Sequence, residues 1–108
     1  MRHLRAILVA ALALALTATV AFGATKSVGV KKQGSKYKWS VSTLRIKKGD
    51  TVKWSWSGSV PHNVTGPGFH SKTSNKLTYS RKFTRAGSYK VVCTIHQALG
   101  QKMTVVVS

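Results

Sequence analysis

Apolar and polar residues alternate with a period of two along most of this chain. From Thr51 to Ser57, Val52, Trp54 and Trp56 fall on one face and Thr51, Lys53 and Ser55 on the other. That alternation is the signature of a half-buried strand. The same pattern recurs in Tyr37, Trp39 and Val41, and in Leu44 and Ile46 between Arg45 and Lys47. It returns in Leu77, Tyr79, Arg81 and Phe83, in Tyr89, Val91 and Cys93, and in Met103, Val105 and Val107. Ser27 to Lys32 reads as a first strand. Gly49-Asp50 and Arg85-Ala86-Gly87 read as turns. Ser57-Gly58-Ser59-Val60-Pro61 is expected to break the central strand, and Thr65-Gly66-Pro67-Gly68-Phe69 to form a loop. No stretch after residue 24 carries a helical period over a useful length. Many short strands with turns at close spacing predict an all-β sandwich or barrel.

The N-terminus has a different pattern. Arg2, His3 and Arg5 precede an apolar run from Ala6 to about Leu16, which extends more loosely to Ala21. Ala21-Phe22-Gly23 offers small residues for a signal peptidase, with cleavage just before Ala24. The alternative is an uncleaved anchor, since Ala6 to Ala24 is nearly long enough to span a bilayer. The run weakens at Thr17, Thr19 and Gly23, which favours cleavage. The expected organisation is a signal peptide over 1–23 and one domain over 24–108. Either way the domain is exported, to a periplasm, the cell exterior or the cell envelope.

Charge narrows the function. The chain has 18 Lys and Arg and a single acid, Asp50. Removing Arg2 and Arg5 leaves 16 basic side chains, a net charge of about +15. One carboxylate supplies neither the pair needed for glycoside hydrolysis nor a cage for calcium or magnesium. A Ser-His-Asp triad is disfavoured because Asp50 sits in a turn. No phosphate-cradling glycine loop is present. The charge itself predicts acidic partners, and suits an anionic membrane or envelope surface. It also fits a basic nucleic-acid-binding β-barrel, which the export signal argues against.

The remaining chemistry lies in Cys93-Thr94-Ile95-His96-Gln97-Ala98-Leu99-Gly100-Gln101, between two expected strands. The lone Cys of an exported chain has no intrachain disulfide partner, which leaves another chain, a free thiol or a metal. Cys93 by itself reads as inert packing. His96, three residues on, lets one tight loop bring thiol and imidazole to one point. His62, in Val60-Pro61-His62-Asn63-Val64, supplies a second imidazole. Two imidazoles and a thiolate in a trigonal set with a weak fourth ligand favour blue copper. The same donors also suit structural zinc. Trp39, Trp54 and Trp56 read as core, and His70 as a surface residue.

Four segments carry a family resemblance: Gly49-Asp50-Thr51-Val52-Lys53-Trp54, Pro61-His62-Asn63-Val64, Phe83-Thr84-Arg85-Ala86-Gly87-Ser88-Tyr89 and Cys93-Thr94-Ile95-His96. The sequence resembles the cupredoxins, the small blue copper proteins, of the plastocyanin and amicyanin kind. The resemblance implies a Greek-key β-sandwich binding one copper ion at one end, and a monomer that carries single electrons and is not an enzyme. It implies His62, Cys93 and His96 as equatorial ligands and Asn63 as the residue tying the two ligand loops together. The usual axial ligand is Met. Here Gln101 stands in its place, as in stellacyanins. A shorter loop of amicyanin type would instead put Leu99 at the axial place and leave that side without a ligand. Met103 reads as core. Pro61, Pro67, Ala98 and Leu99 are expected to form an apolar docking patch around His96 for redox partner proteins. A copper carrier or store of the same fold is the main alternative.

Overall fold

A computed structural model describes residues 23–108. The export segment expected over 1–23 lies outside them, apart from Gly23. The strands are β1 Thr25–Val28, β2 Val30–Gln33, β3 Lys36–Trp39, β4 Thr43–Ile46, β5 Thr51–His62, β6 Thr65–Gly66, β7 Phe69–His70, β8 Ser74–Lys82, β9 Gly87–Val92 and β10 Lys102–Val107. Among the described residues the one helical element is a 3₁₀ turn, Gln97–Leu99, just before β10. One sheet has the order β1-β5-β8, a second β4-β10-β9-β6-β7, and β2 and β3 form a separate hairpin. Parallel pairs β1–β5 and β4–β10 join strands distant in sequence. The result is an all-β sandwich, as expected.

The period-two pattern orders the core as expected. Val28, Val52 and Trp54 from one sheet meet Ile46, Val91, Cys93, Met103, Val105 and Val107 from the other, all buried. Trp54 is fully buried, and its indole N–H donates to the Met103 sulfur at 3.4 Å. The bond satisfies the one polar atom that such a large apolar side chain would otherwise strand. Phe69, Tyr79 and Phe83 surround the Trp54 ring at centroid distances of 6.1–6.5 Å.

Three elements differ from the sequence expectation. Ser27–Lys32 is two strands, because the chain breaks at Gly29. There the backbone exchanges bonds with Ser40: Ser40 N–H to Gly29 O at 2.7 Å, and Gly29 N–H to Ser40 Oγ at 2.9 Å. Val28 stays with β5 while Val30 turns to pair with Trp39. Second, Ser57–Pro61 does not end β5. The strand continues through an irregularity: from Ser57 to His62 it advances five positions while β8 advances only two, from Lys76 to Ser74. The extra residues lie between Ser57 and His62, where Gly58 and Ser59 are exposed, and His62 returns to the buried face. A bulge re-aims a side chain and tolerates the missing N–H of Pro61. Third, the loop at Thr65–Phe69 is a small hairpin, β6 pairing with β7. Pro67 leads its turn and Gly68 takes the left-handed φ of 81° that glycine permits.

Asp50 closes the end of the sandwich opposite His62 on β5. Its carboxylate accepts the N–H of Lys47 at 3.0 Å and of Ala24 at 2.9 Å. The Lys47 and Ala24 N–H bonds hold its pKa below the ordinary value of 3.8. A depressed pKa contributes stability that is present above the unfolded-state value and is lost as pH falls through the folded one. Asp50→Asn is therefore expected to lower the urea midpoint at neutral pH. The gap from wild type should close in acid, below the folded pKa. A gap that persists unchanged into strong acid would show that the charge of Asp50 is not what stabilises the turn.

Candidate metal centre

The two loops at one end of the sandwich are built by local backbone bonds. Cys93 follows β9, and its N–H bonds to Gln101 O at 3.0 Å, closing the loop at its base. Inside, His96 N–H bonds to Cys93 O, and the N–H groups of Leu99 and Gln101 both bond to His96 O. Gly100 adopts φ 101° and ends the 3₁₀ turn. That left-handed residue sends the chain straight into β10. Gln101 is thereby turned under the loop and is fully buried.

Asn63 joins this loop to the one carrying His62. Its Oδ1 accepts the N–H of Thr94 at 3.1 Å and the hydroxyl of Thr65 at 2.9 Å. Its Nδ2 donates to Thr94 Oγ1 at 2.8 Å and Thr73 Oγ1 at 3.0 Å. The tie expected from the sequence is thus present, and both ends of the amide are used. A residue bonded this way fixes the separation of the side chains on either flank.

His62, Cys93 and His96 each offer a ligand atom, and these atoms all lie within 4.8 Å of one another. Cys93 Sγ is 3.6 Å from His96 Nδ1. Gln101 Oε1 lies 3.0 Å from His62 Nδ1 and 3.0 Å from His96 Nδ1. Both Nδ1 atoms thus face the amide oxygen around the space that the Cys93 thiol also borders, and to bind a metal each must be free of its proton. Gln101 Nε2 is buried without a hydrogen-bond partner among the described residues. An unpaired buried amide N–H costs about 1–3 kcal/mol, a cost commonly retained where a group has another task. Burial pushes the His62 pKa below its ordinary value of 6.5, the Gln101 bond opposes this, and nearby His96 adds to the depression. A neutral imidazole is the ligand form. Thiolate, two imidazole nitrogens and one amide oxygen fit a copper ion.

All four expected donors, His62, Cys93, His96 and Gln101, come together. Leu99 does not: it is 48% exposed on the 3₁₀ turn. His70 is exposed, as expected. Sequence reasoning missed Tyr37. Its ring lies 5.3 Å from His62 and 5.2 Å from His96, centroid to centroid, covering both imidazoles. Alternation marked its face, but not that the β2–β3 hairpin would fold over the loop. Ile95 was also missed. It is 48% exposed, and with Leu99 it supplies the large apolar surface around His96. Pro67 and Ala98 are exposed and Pro61 half-buried.

The model of the copper-binding proteins of the plastocyanin/azurin family matches residues 24–108. The amicyanin-alpha of Methylorubrum extorquens is 34% identical over 107 residues, covering 86% of this chain and 90% of that protein. Among solved structures, a purple cupredoxin from Nitrosopumilus maritimus is similar with a TM-score of 0.64 and 26% identity, over 77% of this chain and 99% of that one. A methionine-to-glutamine variant of amicyanin in its Cu(I) form is similar with a TM-score of 0.65 and 33% identity, over 78% of this chain and 82% of that one.

Proposed function

This chain belongs to the plastocyanin/azurin family of copper-binding proteins, and from that premise we propose that it carries single electrons between redox partners, with His62, Cys93, His96 and Gln101 as its copper ligands. The observation that carries the reading is the convergence of His62 Nδ1, Cys93 Sγ, His96 Nδ1 and Gln101 Oε1 at the buried junction of two clasped loops. Bound there, copper supplies a one-electron Cu(II)/Cu(I) couple.

The chain's own residues do the rest. Cys93, His62 and Gln101 are buried, which keeps water from the thiolate and the amide oxygen. The Asn63 clasp holds the His62 loop against the Cys93 loop, so the donors keep their places when the charge at the centre changes. Tyr37 and Trp56 pack against the His62 ring and restrict its rotation. His96 is half-buried, and its ring is the ligand group nearest solvent. The apolar rim of Ile95 and Leu99 offers a small interface, the kind that suits short-lived electron-transfer encounters. The only carboxylate lies at the other end of β5, so this centre has no acid–base pair for enzymatic work. Export, with cleavage before Ala24, completes the reading. It places the protein in a periplasm, outside the cell or at its envelope.

A copper carrier is the second reading. Burial of three donors and the closed backbone of the loop favour slow exchange of the ion, and hence electron transfer. Voltammetry of the copper-loaded protein separates the two. Electron carriage predicts a reversible one-electron wave and copper retained against an excess of a soluble Cu(I) chelator. An irreversible wave, with copper lost within the mixing time, would overturn it.

A further inference from the structure

We infer that a lysine-lined groove beside the copper loop is the docking site for an acidic segment of the redox partner. This inference rests on the electron-carrier reading and adds the surface. The groove, of about 850 Å³, runs between the β2–β3 hairpin and the outer face of β9 and β10. Lys31, Lys38, Lys90 and Lys102 all line it. The ladders explain how they gather. Lys31 stands directly opposite Lys38 in the hairpin. Lys90 pairs with Thr104 and Lys102 with Val92, which puts both lysines on one face of β9–β10. The alternate residues Val91, Met103 and Val105 point into the core.

Like charges directly opposite in a ladder are destabilising. The fold nonetheless holds four lysines around one concavity. The chain's only acid, Asp50, is bonded to Lys47 and Ala24 at the far end of β5, so the four have no carboxylate partner from this chain. A carboxylate complement to them would have to come from outside. The groove also touches the centre. Gly100 lines it, and a Cβ at Gly100 would lie 3.5 Å from Lys38 Cε. Lys38 therefore reaches the residue next to Gln101. An acidic segment laid along the groove would set its protein against the loop while leaving His96 open. Electrostatic complementarity of this kind fixes orientation and speeds encounter.

The test uses the copper-loaded protein with poly-L-glutamate as probe at low salt. The groove variant carries Lys31→Gln, Lys38→Gln, Lys90→Gln and Lys102→Gln. A control variant loses the same charge at the exposed Lys47, Lys48, Lys76 and Lys82. The groove variant should bind about tenfold more weakly than wild type, and the control nearly as well as wild type. In the Cu(I) protein, amide shifts on titration should gather at Lys31, Lys38, Lys90 and Gly100. Equal losses in the two variants, or shifts gathered on β5 and β8, would mean that only net charge matters and overturn the inference. Tighter, groove-dependent binding to phosphatidylglycerol vesicles than to polyglutamate would also overturn it, in favour of an envelope surface. Both variants should keep the copper spectrum. Loss of colour in the wild type would fault the electron-carrier reading, whereas an intact spectrum without groove preference faults the docking site alone.

Discussion

Protein loaded with Cu(II) is expected to be intensely coloured, and Cys93→Ser to abolish the colour. The absorption arises from charge transfer out of the Cys93 thiolate, and serine offers no equivalent sulfur orbital. Cys93 is fully buried and within 3.6 Å of His96 Nδ1, so a copper ion held by both imidazoles has its thiolate in direct reach. The visible absorbance per copper should fall by more than an order of magnitude in the variant. The fold should survive, since the loop is closed by backbone bonds at Cys93 N–H and His96 O that a serine retains. A buried hydroxyl that finds no acceptor costs about 1–3 kcal/mol, which a sandwich with this core tolerates. Far-ultraviolet circular dichroism checks the fold and the visible spectrum checks the ligand. A wild-type copper complex as pale as the aqueous ion would sink the assignment.

Gln101→Met is expected to raise the reduction potential. The amide oxygen is a harder donor than a thioether and favours Cu(II), whereas sulfur favours Cu(I). The expected shift is at least about 60 mV, a tenfold change in preference for a one-electron couple. The copper spectrum should change with it. Gln101 is fully buried with its oxygen between the two imidazoles, so the substituted side chain must lie in the same place. Leu99→Met is the control. With Leu99 exposed on the 3₁₀ turn, its replacement should leave both potential and spectrum nearly unchanged. Voltammetry of the two variants decides the matter. If Leu99→Met moved the potential and Gln101→Met did not, Gln101 would not be the axial ligand.

Much of this protein is legible in its sequence, because the information is local. Period-two alternation identifies the strands and the inward residues, since successive side chains of a strand face opposite ways whatever they pair with. Cys93, His96 and His62 announce a soft metal site through residue type and spacing, and Asn63 is marked by its neighbour His62. The charge follows from counting. What the sequence left open depends on contacts between residues far apart in the chain. Gly29 divides a plausible six-residue strand because Ser40 captures its backbone. β5 survives Gly58 and Pro61 because β8 goes on pairing beyond the bulge. Gln101 rather than Leu99 faces the imidazoles because Gly100 turns the chain and Cys93 N–H pins Gln101 O. Tyr37 reaches both histidines, and four lysines share one groove, because a two-stranded hairpin folds over the loop. Alternation says which side of a strand is buried. Only long-range pairing, whose energy depends on partners that no local window contains, decides what that side is buried against.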